Sequence, residues 1–225
     1  ELPSSSRNAS KPLNYSLYSY YPVQNNCGEM IGVKVAVRDI TRRKEAESDT
    51  LFLLDLGEAI RFAADGDELL WSVAVALGEH LRMSRCAFFE VAGERGRLAL
   101  RRDYHRHLPS LSGSSLADAL SMLIREPVRA GRVVAISDTE QDRRATEHLG
   151  SYQAASIRAC ALTPVVRDDR LLAVLLVASA DPHEWSEREI TLINIVAERC
   201  LLAVEKLRLD KILRESDAAL RDADR

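Results

Sequence analysis

Aromatic residues make up only 5% of this 225-residue chain, and residues that interrupt regular structure are few, with 10 glycines and 7 prolines. The 46% hydrophobic fraction therefore has to be packed mainly by Leu, Val and Ala, which is enough for a globular core. Charge of one sign is also missing, because 31 basic side chains stand against 34 acidic ones. A formal net charge of -3 leaves no electrostatic footprint for DNA or RNA, and no nucleic-acid partner is expected. The longest apolar run, Leu171 to Ala178, is strand-sized and far short of the roughly 18 to 20 residues of a membrane span. The opening ELPSSSRNASKP has neither an apolar secretory core nor an initiator Met, so the sequence reads as a segment of a longer cytoplasmic protein.

Catalytic and metal signatures are absent as well. Cys27, Cys86, Cys160 and Cys200 have no C-x-x-C spacing, and three of them lie in apolar strand or helix patterns, as buried thiols do. No metal site is expected. There is no G-x-S-x-G elbow, P-loop or H-E-x-x-H, and the carboxylates are dispersed over charged helical surfaces, so no catalytic residue is assigned within the segment.

What is present is a long helical pattern at the C-terminal end. Ser186 and Glu189 form an S-x-x-E capping box, with Trp185 and Ile190 at the flanking staple positions. Beyond the cap, Ile190, Ile193, Ala197, Cys200, Val204 and Leu207 recur at alternating steps of three and four, the spacing of a coiled-coil seam. Leu209, Leu213, Ser216, Leu220 and Ala223 continue the rhythm in a phase displaced by two residues. A second seam, Ala46, Leu53, Leu56 and Ile60, lies on a charged helix nearer the N-terminus. Leu53, Leu56, Ile60, Ile193, Ala197, Cys200, Val204 and Leu207 are thus the expected interface of a parallel homodimer.

The rest of the chain divides by pattern. Residues 1–12, rich in Ser, Asn, Pro and Lys, read as a disordered lead. Residues 13–42 hold two β-branched and aromatic runs, NYSLYSYYPV and MIGVKVAVRDI, joined through QNNCGE as a hairpin. Residues 43–64 form the charged linker helix. Within 65–185, Asp67 is expected to cap a helix with Leu70, Trp71, Val73, Ala74, Leu77 and Leu81 inward. Strands at CAFFEVA, GRLALRRDY, GRVVAIS, ACALTPVV and LLAVLLVAS alternate with the helical SSLADALSMLIRE and the polar EQDRRATEHLGSYQAAS. That order predicts an α+β fold with a largely antiparallel sheet flanked by helices, followed by the long helix of 186–225.

Residues 45 to 210 resemble a GAF domain: the strand segment IRACALTPVVRDDRLLAVLLV looks like a strand pattern of the family, and DPHEWSEREITLINIVAERCLLAVE looks like its closing helix. Residues 20 to 47 are similar to the last two strands and exit motif of a PAS domain, with Asp39-Ile40-Thr41 leading into an R-x-x-E-A-type helix. This order resembles bacterial sensor histidine kinases, and it implies a sensory, signal-transmitting region coupled to a downstream kinase domain and response regulator. The kinase's own phosphoacceptor and ATP-binding motifs would then lie after Arg225.

The resemblance also implies where a cofactor would bind. The N-K-x-F-D-E pattern of cyclic-nucleotide-binding relatives does not occur, so a cyclic nucleotide is not expected. The Cys-His pair of bilin-binding relatives would fall at Glu147 and His148, and with a carboxylate in place of the thiol no covalent bilin is expected. Haem would need an axial ligand, for which His105 and His107 are the candidates. The cofactor stays unknown. An unidentified small molecule would sit between sheet and loops, lined by Phe88, Tyr104, Ser137, Asp138, His148, Tyr152 and Arg158. The alternatives are a bilin or haem sensor and a purely structural dimerisation module.

Overall fold

The structure is a computed structural model that describes residues 15–92, 97–113, 115–123, 133–167 and 170–223, with side chains through residue 216. The lead of 1–12, the ends of two expected elements at 124–126 and 131–132, and the side chains of Leu220 and Ala223 lie outside the described residues. Two compact units divide at Leu54/Asp55.

The first unit contains an antiparallel hairpin, β1 (Ser16–Gln24) and β2 (Met30–Asp39), and the start of helix α1 (Thr41–Phe62). Asn25 closes the turn, its side-chain oxygen accepting from the amides of Cys27 and Glu29, and Gly28 takes a φ of +80°, which glycine adopts without a Cβ clash. The paired residues Tyr18/Val37, Tyr20/Val35 and Pro22/Val33 share one apolar face, while Tyr21/Lys34 and Leu17/Arg38 share the other. All of them are exposed. The Asp39-Ile40-Thr41 tripeptide joins hairpin to helix: the Asp39 carboxylate accepts from the Thr41 amide at 2.8 Å, and the Thr41 hydroxyl accepts from the Tyr15 amide at 2.9 Å.

In the second unit, α2 (Gly66–His80) precedes β3 (Arg85–Ala92) and β4 (Arg97–His105), followed by α3 (Leu116–Leu123) and β5 (Val134–Ile136). A single 3-10 turn, Thr146–His148, leads into α4 (Leu149–Ala154); β6 (Ala159–Arg167), β7 (Arg170–Ser179) and α5 (Glu187–Ala223) complete the unit. The sheet is antiparallel in the order β4-β3-β7-β6-β5. Helices α2 and α5 pack together on one of its faces. Gly66 lies against Val204, where an added Cβ would stand 3.2 Å from the valine methyl, and Gly78 lies against the Tyr104 ring, which leaves no room for a Cβ. On the opposite face, α3, α4 and connecting loops cover a second apolar layer, to which β5 contributes Val134 and Ile136.

Two expectations about α2 are corrected. Its N-cap is Asp65, whose carboxylate accepts from the amides of Asp67 and Glu68 at 2.9 Å, and Asp67 is drawn instead to Arg101 at 2.6 Å. Trp71 is 45% exposed, because the inward stripe runs through Leu70, Val73, Ala74 and Leu77, and its ring meets that of Tyr104 edge-on.

The expected dimer seam of the C-terminal helix needs a larger correction. Ile193, Ala197 and Cys200 have no exposed surface in the single chain, and Val204 has little. That face packs against α2 and the sheet, so it is not open to a second chain. Leu56 is also buried, Leu53, Ile60 and Leu207 are half-buried, and among the described side chains the leucines left exposed on α5 are Leu202, Leu209 and Leu213. A three-four repeat identifies a buried face without saying what buries it.

Candidate ligand and coupling site

Strand alternation sets which side chains enter the loop-side layer. On β3, Ala87 and Phe89 point into it; on β6, Cys160 and Leu162; on β7, Val174, Leu176 and Ala178. Leu111, Leu116 and Leu120 close it from above, with Ile136 of β5, Tyr152 of α4 and Ile157 at its far side. Tyr152 is fully buried, and its hydroxyl has no hydrogen-bond partner among the described residues. Burial, with Cys160 and Asp142 nearby, pushes the phenol far above its ordinary value. Burial likewise pushes the Cys160 thiol up to about 12, against the opposing pull of Arg144. Among the described residues, this apolar cluster holds no charged side chain, and the Tyr152 hydroxyl is a donor left unused within it.

A buried ion pair ties its cover down. Arg85 has no exposed surface, and its Nη1 donates to Asp103 Oδ1 at 2.6 Å across β3 and β4. Its Nη2 donates to the carbonyls of Pro109 and, at 3.4 Å, Ala155, while Asp103 Oδ2 accepts from the Leu111 amide at 2.7 Å. One guanidinium thus links two strands to the loop after β4 and to the end of α4. Among the described residues its Nε is left without a partner, as is Nδ1 of His105, which faces Arg85 across the strand pair. His107 is exposed, at a φ of +55°.

The expected ligand residues do not form one group. Phe88 and Tyr104 lie on the helix side of the sheet, whereas Tyr152 lies on the loop side. Asp138 and Arg158 engage each other, at 2.8 Å, beside the start of β6. Arg158 first, and then the Glu140 amide and Gln141, hold the Asp138 carboxyl below its usual range. Ser137 donates to Glu184 at 3.3 Å, and His148 ends the 3-10 turn half-buried without a side-chain capping bond.

The connection from this layer to α5 passes through residues that periodicity does not single out. The Trp185 indole donates to the carbonyl of Ile136 at 3.1 Å, and the His183 amide donates to that of Ser137 at 3.0 Å. The His183 ring stacks edge-on against Trp185, at 4.8 Å between centroids, and its Nε2 meets Glu189 Oε1 at 3.0 Å. Glu189 Oε2 accepts from the Ser186 amide and hydroxyl, and the Glu189 amide donates back to Ser186 Oγ. The helix cap and the edge strand of the ligand layer are one hydrogen-bonded unit. The D-P-H-E-W string is the available signal, since a His and a Trp just before a capping box are placed to anchor it.

No curated protein matches the chain in sequence. Among solved structures, it is similar to the phycoerythrobilin-bound GAF domain from a cyanobacterial phytochrome, with a TM-score of 0.61 at 16% identity over 72% of this chain and 97% of that one. It is also similar to the GAF domain of a phosphoenolpyruvate-protein phosphotransferase from Coxiella burnetii (TM-score 0.58, 15% identity, 74% and 98% covered). A third similar structure is the free methionine-R-sulfoxide reductase of Neisseria meningitidis (TM-score 0.56, 15% identity, 72% and 93% covered). At these identities the likeness concerns the fold alone. The GAF-domain family profile matches residues 65–204, well over half of the sequence, and the chain belongs to the GAF domain family.

Proposed function

We propose that this chain is the sensory and signal-transmitting region of a two-component histidine kinase, in which the GAF domain biases a downstream kinase through α5. The observation that carries this reading is that α5 is one uninterrupted helix of 37 residues whose cap is bonded to β5, a strand of the ligand layer. Its first half is packed against the sheet and its later part, from residue 211 to 216, is exposed. A small molecule that repacks the layer around Tyr152 would shift Ile136, and with it the anchor of the helix. Because the helix is continuous, a rotation at the cap reaches its far end without a hinge. The neutral lining suits an uncharged ligand with one hydrogen-bond acceptor for the Tyr152 hydroxyl. The chain acts in the cytoplasm, and none of its described helices is long and apolar enough to cross a membrane.

The test is made on the full-length protein incubated with ATP. Phosphohistidine should accumulate, and Trp185→Phe, which keeps the ring but removes the bond to Ile136, should change its level while the fold persists. Absence of phosphohistidine, or an unchanged level in the variant, would overturn the reading.

A further inference from the structure

Two segments cover the loop-side layer near Arg85, residues 106–113 after β4 and residues 154–158 at the end of α4, and they are built alike. Each has a backbone anchor, a left-handed residue beside it, and a carbonyl held by the same guanidinium. In the first, the Arg106 amide donates to the Ser84 carbonyl at 2.9 Å, His107 stands at a φ of +55°, and the Pro109 carbonyl accepts from Arg85 Nη2. In the second, the Ile157 carbonyl accepts from Thr139 Oγ1 at 3.0 Å and the Arg158 amide donates to the Ser179 carbonyl at 2.9 Å. Ser156 stands before that anchor at a φ of +55°, and the Ala155 carbonyl accepts from the same Nη2 at 3.4 Å. Left-handed backbone is unfavourable for a residue with a Cβ and persists only where its surroundings hold it. Among the described residues the one other non-glycine case is Arg82, three positions before Arg85 itself.

We infer that Arg85 and Asp103 are a latch, and that the two segments it holds open together about His107 and Ser156 as the entrance to the layer. Among the described residues, every hydrogen bond that joins residues 107–113 to another element runs through this pair: Pro109 to Arg85, and the Leu111 amide to Asp103 Oδ2 at 2.7 Å. The bond from the Ser112 amide to Ser110 Oγ stays within the loop. Leu111, only 4% exposed, is thus held over the layer by its packing and one carboxylate. Gly113, at a φ of +75°, gives the far end of the loop a second pivot. A turn at Ser156 gives up the bond from the Ile157 amide to the Tyr152 carbonyl and carries Tyr152 away from Cys160, its neighbour in the layer. The two segments are also coupled directly, since Ser151 Oγ of α4 and Ser115 Oγ, just beyond the loop, lie 2.8 Å apart. Because one nitrogen holds both carbonyls, displacing the guanidinium releases both segments at once. Opening relaxes two left-handed residues and admits water to Arg85 Nε and His105 Nδ1, which lack partners among the described residues in the closed form. Those gains offset part of the bonds lost, so the cover can open without unfolding the sheet. The role as an entrance rests on the loop-side layer being the ligand site.

Thiol access reads the opening with neither ligand nor kinase present, so this test and the phosphohistidine test fail separately. Cys160 points into the loop-side layer, whereas Cys86 and Cys200 lie on the helix side of the sheet, and all three are buried. In the 225-residue chain carrying Cys27→Ser, which removes the exposed thiol, alkylation by iodoacetamide in native buffer is followed at each cysteine by mass spectrometry. Cys160 should react faster than Cys86 and Cys200. Arg85→Met/Asp103→Leu removes the latch without stranding a charge, and should raise the ratio of the Cys160 rate to the Cys86 rate roughly tenfold or more, from three lost bonds to the cover. Arg85→Lys keeps a cation beside Asp103 but loses the fork that reaches two carbonyls, and should raise the ratio by a smaller factor; either variant alone suffices. Three thiols that react in unison in the parent chain, or a ratio that stays the same in the folded variants, would overturn the inference.

Discussion

The indole Nε1 of Trp185 donates to the backbone carbonyl of Ile136 at 3.1 Å, joining the residue before a helix cap to a strand 49 positions earlier. Ile136 is fully buried in the ligand layer, so the bond connects its interior directly with the start of α5. Replacing Trp185 by Phe keeps the apolar ring and removes one hydrogen bond, an expected loss of about 1 kcal/mol. Hydrogen exchange should locate that loss at the first-turn amides of α5 and at β5. Unchanged protection at both places in a folded variant would show that the bond does not hold the cap.

Arg85 and Asp103 allow a sharper energetic test, because both side chains are almost completely buried. Arg85→Met leaves a carboxylate in the interior with the Leu111 amide as its one remaining hydrogen-bond partner among the described residues, and about 3 to 5 kcal/mol should be lost. Asp103→Leu, which strands the guanidinium, should lose a comparable amount. The double variant Arg85→Met/Asp103→Leu should be more stable than either single one, because no uncompensated charge remains. Denaturant midpoints of the four proteins decide the matter, and additive losses would contradict mutual compensation.

Much of this architecture is legible in the sequence, and the parts that are not share a cause. The S-x-x-E cap of α5 is a local signal, and Ser186 and Glu189 make the reciprocal bonds it implies. The antiparallel sheet is likewise implied by the spacing of strands and turns. Which face a side chain joins is not implied where a strand is buried on both sides. Cys86, Ala87, Phe88 and Phe89 are all buried, so no polar alternation marks the difference between Phe88, beside the helices, and Phe89, in the ligand layer. The same gap separates Tyr104 from Tyr152. Arg85 carries no sequence signal of its role, because a charged residue at the start of a strand is ordinarily exposed; its partners come from positions 18 to 70 residues away. The seam of α5 has the right period, but packing on a sheet and packing on a partner helix produce the same period.

Acid should weaken the α5 cap through Glu189. Burial alone would raise its pKa, but the bonds from His183 and from the Ser186 amide and hydroxyl outweigh that, and the carboxyl lies below its ordinary value. A depressed folded pKa means that the unfolded chain takes up the proton first as pH falls. The contribution is therefore complete above about 4.3, the ordinary glutamate value, and disappears as pH drops through the folded one. Glu189→Gln cannot titrate there. Its stability deficit relative to the wild type, read from urea midpoints across a pH series, should be constant near neutrality and shrink in acid. A deficit that stays the same down to the acid limit would show that the carboxylate charge is not what holds the cap.

The displaced seam makes a prediction about phase in the protein extended to its output domain. Insertions after Leu207 fall beyond the buried face of α5, so the domain above them keeps its packing. Four added residues turn the downstream face by roughly half a right angle and lengthen the helix by about 6 Å, whereas seven preserve a 3.5-residue seam and add about 10 Å. The two mechanisms therefore rank the insertions in opposite order. If α5 transmits by the angle at which its outer leucines meet their partner, the four-residue insertion should alter output strongly and the seven-residue insertion should be nearly silent. If α5 is a tether that reports only distance, the longer insertion should have the larger effect. Output measured for both, with and without the signal, separates rotation from length, and equal responses would leave the GAF domain as a dimerisation device without angular control.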